Sequence, residues 1–144
     1  MRRNTRVLVT AIASTAAALG TICLGAGPAA ADDGDRSPAC NRGEICFSRD
    51  FPASRYQKHF WYVGNHAGYT WYDVQARQVT NRAIRNDASA LSNRDTLCDV
   101  KVVNDRGVLP DTTQIVPNRP GENYFVFLDR VNDANDRHER TNCS

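Results

Sequence analysis

The sequence predicts an all-β domain braced by disulfide bonds. Three observations support this prediction: short runs rich in β-branched and aromatic residues, turn signals between them, and an even number of cysteines after a leader segment. Beyond that leader, no stretch sustains a helical apolar period for more than about two turns. Short strands separated by turns at roughly 8–12-residue spacing indicate a β-sandwich or a β-barrel.

The first 31 residues form the leader. Arg2, Arg3 and Arg6 precede a mainly apolar segment at residues 7–24, and residues 29–31 are three alanines. This order is typical of a secretory signal peptide, so we expect residues 1–31 to be removed and the product to be secreted to the extracellular space. Residues 32–39 are acidic and polar and are expected to form a flexible tail. Residues 40–144 then make the folded domain.

Loss of the leader changes the charge of the protein. The full chain has a formal net charge of +2, and removing three arginines without any acidic residue gives −1. This balance gives no reason to expect nucleic-acid binding or attachment to an anionic membrane after cleavage. We expect the mature domain to be a monomer.

The cysteines indicate two disulfide bonds. Cys23 leaves with the leader, and the remaining four sulfurs permit three pairings, of which we favour Cys40–Cys46 and Cys98–Cys143. The first pair closes a small loop that can turn at Gly43, and the second ties a central strand to the end of the chain. Zinc is the competing use of four cysteines, but no C-x-x-C pair is present.

Apolar and aromatic runs predict the strands of the domain. The strand candidates in chain order are residues 44–48, 59–62, 69–72, 74–81, 97–103, 114–116 and 123–128. The glycine-containing residues 64–68 predict a hairpin loop between the second and third candidates. Residues 129–142 are mostly charged, and we expect them to wrap the surface until Cys143 anchors them.

Two motifs carry a family resemblance. They are Cys40-Asn41-Arg42-Gly43-Glu44-Ile45-Cys46-Phe47 and Arg85-Asn86-Asp87-Ala88-Ser89-Ala90-Leu91-Ser92-Asn93, the latter followed by a cysteine-bearing strand. With its export leader, the chain resembles the I36 family of peptidase inhibitors, small secreted proteins similar in fold to βγ-crystallins. The resemblance covers nearly the whole mature domain. It implies a pair of Greek-key motifs in a disulfide-braced two-sheet sandwich, a secreted peptidase of metalloproteinase type as partner, and no enzymatic activity.

The resemblance also implies where inhibition would occur. A rigid loop can occupy a peptidase cleft like a substrate, and the candidate bond lies beside a disulfide-bound cysteine. In this chain that segment is Cys98, Asp99 and Val100. Thermolysin-like peptidases prefer an apolar residue after the cut, whereas Asp99 is acidic. The segment Gly107, Val108 and Leu109 is therefore the alternative.

Calcium is a minor hypothesis that also follows from the resemblance, because crystallin-like domains often bind calcium at Asn/Asp- and Ser-rich corners. The oxygen-bearing candidates are Asn86, Asp87, Ser89, Asp133 and Asp136. Arg85 precedes the first corner and would repel a cation, so we interpret the corner first as a hydrogen-bonded turn. No other cofactor is expected.

Two other functions compete with inhibition. Trp61, Tyr62, Trp71 and Tyr72 could form an aromatic platform for a cell-wall or other polysaccharide, although such aromatics more often belong to the core of a small β domain. A hydrolase would need catalytic groups, for which the sequence offers the run His138, Glu139 and Arg140. Adjacent residues rarely converge on one substrate atom, and the familiar hydrolase motifs are absent from the sequence.

Overall fold

The computed structural model describes residues 34, 37–52 and 55–144. The predicted signal peptide lies outside these residues. Ten strands follow one another along the described chain: β1 (Ile45–Ser48), β2 (Tyr56–Phe60), β3 (Gly64–Asn65), β4 (Thr70–Asp73), β5 (Gln78–Ala83), β6 (Ala90–Asn93), β7 (Asp99–Asn104), β8 (Thr112–Val116), β9 (Val126–Phe127) and β10 (Arg137–Thr141). Within the described part of the chain, no helix has the length and apolar character needed to cross a membrane.

The strands form two antiparallel sheets. The larger sheet has the order β5-β4-β2-β1-β6-β9, and the smaller has the order β3-β10-β7-β8. The first half of the domain contains β1 to β6. Its strands β1, β2 and β6 lie together in the larger sheet, while β3 crosses to the smaller sheet. In the second half β7, β8 and β10 lie together while β9 crosses to the larger sheet. The two halves are therefore interlocked Greek keys, and the predicted all-β, disulfide-braced sandwich is confirmed.

Alternation of side chains along the strands builds one core between the sheets. Ile45 and Phe47 of β1 face Val100 and Val102 of β7 across this core, and all four are fully buried. The remaining members of the cluster are Phe60, Trp71, Ile84, Ala88, Leu91, Val116, Leu128 and Val131.

The predicted aromatic hairpin is only partly correct. Strands β2 and β4 do pair antiparallel, with Tyr56 opposite Asp73. The connection between them is not a simple loop, because β3 crosses to the other sheet and pairs with β10 before a single 3-10 turn at His66–Gly68. A two-residue strand is too short to leave a period in the sequence.

The end of the chain requires a larger correction. The predicted surface wrap at residues 129–142 contains β10, which lies between β7 and β3 inside the smaller sheet. Arg137 and Glu139 lie on its outer face, where Lys101 pairs with Glu139 at 2.6 Å, whereas His138 is buried. The charged composition thus belongs to one face of an inner strand. The predicted strand at 123–128 is correspondingly shorter, since only Val126–Phe127 pair with β6.

Covalent links occur at one end of the sandwich. The structure joins Cys40 to Cys46 and Cys98 to Cys143, the same pairs that the sequence favours. Within the expected flexible tail, Gly34 is buried and its N–H donates to the carbonyl of His59 at 3.0 Å. At this position the chain is docked against β2. Residues 32, 33, 35 and 36 of that tail lie outside the described residues.

Candidate functional site

The implied inhibitory segment begins an inner strand. Asp99 and Val100 belong to β7, which pairs with β10 on one side and β8 on the other. Cys98 is 1% exposed and Val100 is fully buried. A backbone already paired on both sides has no free edge to offer to an enzyme. Cys98, Asp99 and Val100 therefore lie at the start of a paired inner strand and not in an exposed loop.

The exposed segment lies immediately before this strand. Residues 94–97, here called the braced loop, connect the two Greek keys, and Leu97 is 50% exposed while Thr96 is also exposed. The buried Asp95 organises the loop, because its Oδ1 accepts the backbone N–H of Leu97 at 2.8 Å and that of Cys98 at 3.0 Å. This carboxylate sets the backbone of the loop in one conformation.

Arg140 secures Asp95 from the opposite side. Its Nη2 donates to Asp95 Oδ1 at 3.0 Å, and its Nε lies 2.6 Å from Oδ2. The guanidinium of Arg140 also lies over the ring of Tyr62, 5.5 Å from its centroid. Because Arg140 is on β10, the conformation of the braced loop depends on the placement of that strand.

Both ends of the braced loop are anchored. At its start, Arg94 donates its backbone N–H to the carbonyl of Glu44 at 2.9 Å, and its side chain donates to the carbonyls of Cys40 and Pro120. At its end, Cys98 is fixed by the disulfide to Cys143, and Asn93 Nδ2 donates to the Cys98 carbonyl at 3.1 Å. An exposed apolar residue is thus held between two fixed points.

The alternative segment Gly107, Val108 and Leu109 lies at the other end of the sandwich. Val108 is completely exposed in the loop between β7 and β8, and Gly107 has a φ of +64°. Arg137 bridges the two sides of this loop, at 3.5 Å from Asp105 and 3.3 Å from Asp111. These contacts are exposed ion pairs, which contribute less rigidity than the buried Asp95 and the disulfide.

The proposed calcium ligands meet at the contact between the two halves. Asn86 and Asp133 occupy equivalent turns with φ values of 55° and 50°. Asn135 joins these turns, since its Oδ1 accepts the N–H groups of Asp87 and Ala88 at 3.1 and 2.9 Å. Ser89 Oγ lies 3.5 Å from Asp133 Oδ1. The corner is therefore already a connected hydrogen-bonded structure.

Two carboxylates of this corner, those of Asp87 and Asp136, are occupied by cationic and N–H donors. Asp87 accepts the indole N–H of Trp71 at 2.7 Å and pairs with Arg82. Asp136 pairs with Arg85 and accepts the backbone N–H of Asp105 at 2.7 Å. Calcium prefers six to eight oxygen ligands, and binding here would first have to displace these partners.

We expect calcium to have no measurable effect on this corner. Titration to millimolar calcium chloride should leave the melting temperature of the mature domain unchanged relative to magnesium chloride at equal ionic strength. A rise specific to calcium, abolished by Asp133→Asn, would contradict this expectation and show that the corner binds the metal.

The aromatic platform is incomplete in the fold. Trp71 is fully buried, whereas Tyr62 is 57% exposed. A cavity of about 190 Å³ lies on a different part of the larger sheet and is lined by Tyr69 and Tyr72 together with Gln57 and Thr70. Its aromatic and hydrogen-bonding lining is of the kind that small-ligand sites use.

The run His138, Glu139 and Arg140 does not converge on one point. His138 points into the core and contacts Phe47, with ring centroids 5.1 Å apart. Glu139 lies on the opposite face, where the hydrogen bond from Lys101 is the main reason that its pKa is lowered. Arg140 is directed to Asp95.

Sequence reasoning missed the contact between His66 and His138. His66 Nε2 lies 2.8 Å from His138 Nδ1, although the residues are separated by 72 positions. The available signal was the alternation of β10, which turns His138 away from its charged neighbours.

Comparisons with protein-family models, with curated proteins and with solved structures found no match.

Proposed function

We propose that the mature domain is an extracellular inhibitor of peptidases, foremost of thermolysin-like metallopeptidases, and that the braced loop enters the enzyme's cleft. The bond offered to the enzyme is Thr96–Leu97. One observation carries this proposal: Leu97 is half exposed, directly precedes a disulfide-bound cysteine, and has its N–H held by the buried Asp95. The disulfides also support maturation in an oxidising compartment, in keeping with secretion.

Rigidity of the braced loop is the physical basis for inhibition. A flexible substrate loses conformational entropy when it enters a cleft, whereas a loop already fixed by Asp95, Arg94 and the disulfide loses little. The gain appears as tighter binding without any additional contact.

The chemistry of Leu97 fits the proposed enzyme class. A thermolysin-like peptidase takes an apolar residue on the far side of the cut, which Leu97 supplies and Asp99 does not. The exposed Leu97 side chain would fill the apolar pocket of the enzyme.

Cleavage of Thr96–Leu97 would leave the new ends close together. The new amino group would belong to Leu97, whose nitrogen already lies 2.8 Å from Asp95 Oδ1, and a positive charge there would strengthen the contact. The two halves would stay associated because β3 and β9 each pair within the other half's sheet. Religation is then an intramolecular step, and release of a cut inhibitor is slow.

We expect Leu97→Asp to weaken inhibition by roughly 100-fold, because a carboxylate would be buried without a partner in the apolar pocket. The measurement is the inhibition constant against a panel of purified metallo- and serine peptidases. Val108→Asp is the matched control, since it places the same charge on the loop at the opposite end. The control should inhibit like the unmodified protein.

Two results would contradict the proposal at different levels. Failure of the unmodified domain to inhibit any enzyme of the panel at micromolar concentration would rule out the function. Loss of inhibition in Val108→Asp with retention in Leu97→Asp would keep the function and move the inhibitory loop to Gly107, Val108 and Leu109.

The tyrosine-lined cavity favours a polysaccharide-binding module as the second candidate. Tyr69 and Tyr72 offer stacking surfaces, and Gln57 offers hydrogen-bonding groups. A pull-down with insoluble cell-wall polysaccharide tests it, with Tyr72→Ala as the variant that should lose binding. Retention of the domain by no polysaccharide, or equal retention of both proteins, would remove this candidate.

A further inference from the structure

Two histidines are enclosed in the core of the sandwich. His66 is fully buried and His138 is 1% exposed. Phe47 and Phe60 surround them, with ring centroids 4.7 Å from Phe47 to His66 and 4.7 Å from Phe60 to His138. Gly64 allows this close packing, since a Cβ there would lie 2.8 Å from His138 Cε1.

The hydrogen bonds of the pair determine where its protons lie. His138 Nε2 is 2.9 Å from the carbonyl of Tyr62, which can only accept, so Nε2 carries a proton and Nδ1 is an acceptor. His66 Nε2 must then donate to His138 Nδ1 at 2.8 Å. His66 Nδ1 is left as the acceptor of the Asn135 side-chain amide, 2.7 Å away, while the backbone carbonyl of Asn135 lies 3.2 Å from the same nitrogen. Every ring nitrogen is satisfied with both imidazoles neutral.

This chain of hydrogen bonds connects to the braced loop. Tyr62 accepts the proton of His138 through its carbonyl, and its ring lies under Arg140. Arg140 is two residues beyond His138 on β10 and holds Asp95. A displacement of His138 would therefore disturb Tyr62, which lies under Arg140, and Arg140 itself, which holds the carboxylate of Asp95.

We propose that the His66–His138 pair is an acid switch: protonation of either ring disrupts the hydrogen-bond chain, loosens β10 and the braced loop, and releases the bound peptidase at acid pH. The release of a peptidase rests on the proposed function. The acid sensitivity of the fold does not.

An extra proton breaks a hydrogen bond wherever it is added to the pair. On His138 Nδ1 it would remove the bond accepted from His66. On His66 Nδ1 it would displace the Asn135 amide at 2.7 Å and leave the more distant Asn135 carbonyl, at 3.2 Å, as the acceptor. The resulting cation would be buried among phenylalanine rings. Charged residues on the surrounding elements are Lys58 on β2, whose Nζ lies over the ring of Phe60, Asp136 before β10, which pairs with Arg85, and Arg140 on β10, which lies over Tyr62. Arg85 already pairs with Asp136, so the charge of that carboxylate is largely compensated.

The direction of the effect follows from the pKa values. Burial lowers the pKa of His66 to about 4, partly opposed by the backbone hydrogen bond at Asn135 and by Asp136. Burial, and then the charge of His66, lower the pKa of His138 well below its usual value. Both pKa values are depressed in the folded state, so the unfolded chain takes up protons first. The stabilisation of the folded state by the neutral histidine pair is complete above about pH 6.5 and is lost as the pH falls below that value.

The first test measures unfolding of the mature domain in denaturant at a series of pH values. Between pH 6.5 and 5, the ratio of folded to unfolded protein should fall by roughly 15-fold for each histidine, and the number of protons taken up on unfolding should approach two at the acid end of this range. Most carboxylates stay ionised in this window. A fall that corresponds to less than one proton would overturn the switch.

The second test separates the switch from general acid sensitivity. His66→Gln/His138→Gln should flatten the dependence between pH 6.5 and 5. Should that variant not fold, ¹⁵N spectra of the unmodified protein decide: a proton on Nε2 of both rings at neutral pH supports the proposal, and any other tautomer overturns it.

The third test measures release of the peptidase. The complex between the domain and a peptidase that it inhibits should dissociate at least tenfold faster at pH 5 than at pH 7.5. Equal rates would refute the coupling to the loop while leaving the inhibitory function intact.

Discussion

Replacement of Cys98 and Cys143 by alanine is expected to lower the free energy of unfolding by about 4 kcal/mol. The two residues are separated by 45 positions, and opening a loop of that size restores much conformational entropy to the unfolded chain. The disulfide also fixes the start of β7 to the chain just beyond β10. Urea unfolding at neutral pH, followed by tryptophan fluorescence, measures the change.

The second disulfide provides the matched control for this experiment. Cys40 and Cys46 are separated by only 6 positions, so their replacement by alanine should cost about 2 kcal/mol in the same chain-entropy model. The inhibitory properties should also differ, because only the Cys98–Cys143 link borders the braced loop. The Cys98→Ala/Cys143→Ala variant should be degraded by a peptidase that the unmodified protein inhibits. An equal or smaller loss of stability than in the control would contradict this account of the disulfide.

Phe47→Ala should be similarly damaging to the fold, with an expected loss of about 3–5 kcal/mol. The ring is fully buried and meets Phe60 edge to face, with centroids 5.9 Å apart, as well as both core histidines. Removing it opens a cavity at the centre of the sandwich, where the interleaved strands leave little freedom to collapse. The measurement is again denaturant unfolding.

Phe127→Ala is the control for the core substitution. Phe127 lies on the short edge strand β9, is 43% exposed and contacts the exposed Phe51. We expect the free energy of unfolding to fall by less than about 1 kcal/mol, because folding removes less of the Phe127 ring than of the Phe47 ring from water. Similar losses for the two variants would mean that Phe47 is not the centre of the core.

The fold class could be predicted because the main strands carry their own signals. In β7, Val100 and Val102 alternate with Lys101, which is the period of a strand with one face in the core. In β1, Ile45 and Phe47 point into the core, and Cys46 between them is buried on the other face beside its disulfide. An even set of cysteines after the leader indicated the covalent bracing. These signals are local, so a single sequence contains them.

The pairing between distant segments left no such signal. Strand β10 reads as a charged surface segment because Arg137 and Glu139 dominate its composition, while His138 alone turns inward. Its partner β3 has two residues and no period. The histidine pair therefore exists only through the crossing of β3 to the other sheet, which is a property of the whole topology.

The resemblance indicated a loop at the disulfide-bound Cys98, and the braced loop on which the proposed function rests lies directly before that residue. The sequence could not tell on which side of Cys98 the chain leaves the sheet. The structure places Asp99 inside β7 and Leu97 in the exposed loop, because Asp95 caps the backbone ahead of the strand. The role of Asp95 depends on Arg140, a contact between residues 45 positions apart.

The most direct test of the braced loop is to identify the bond that a target peptidase cuts. The unmodified protein is incubated with an active metallopeptidase that it inhibits. The reaction is stopped with acid, and the products are analysed by mass spectrometry and N-terminal sequencing. We predict one new N-terminus, at Leu97, in a protein that still inhibits fresh enzyme after the first is removed. A first cut at any other bond, or rapid degradation of the domain after cleavage, would contradict the claim that the fold presents and retains this loop.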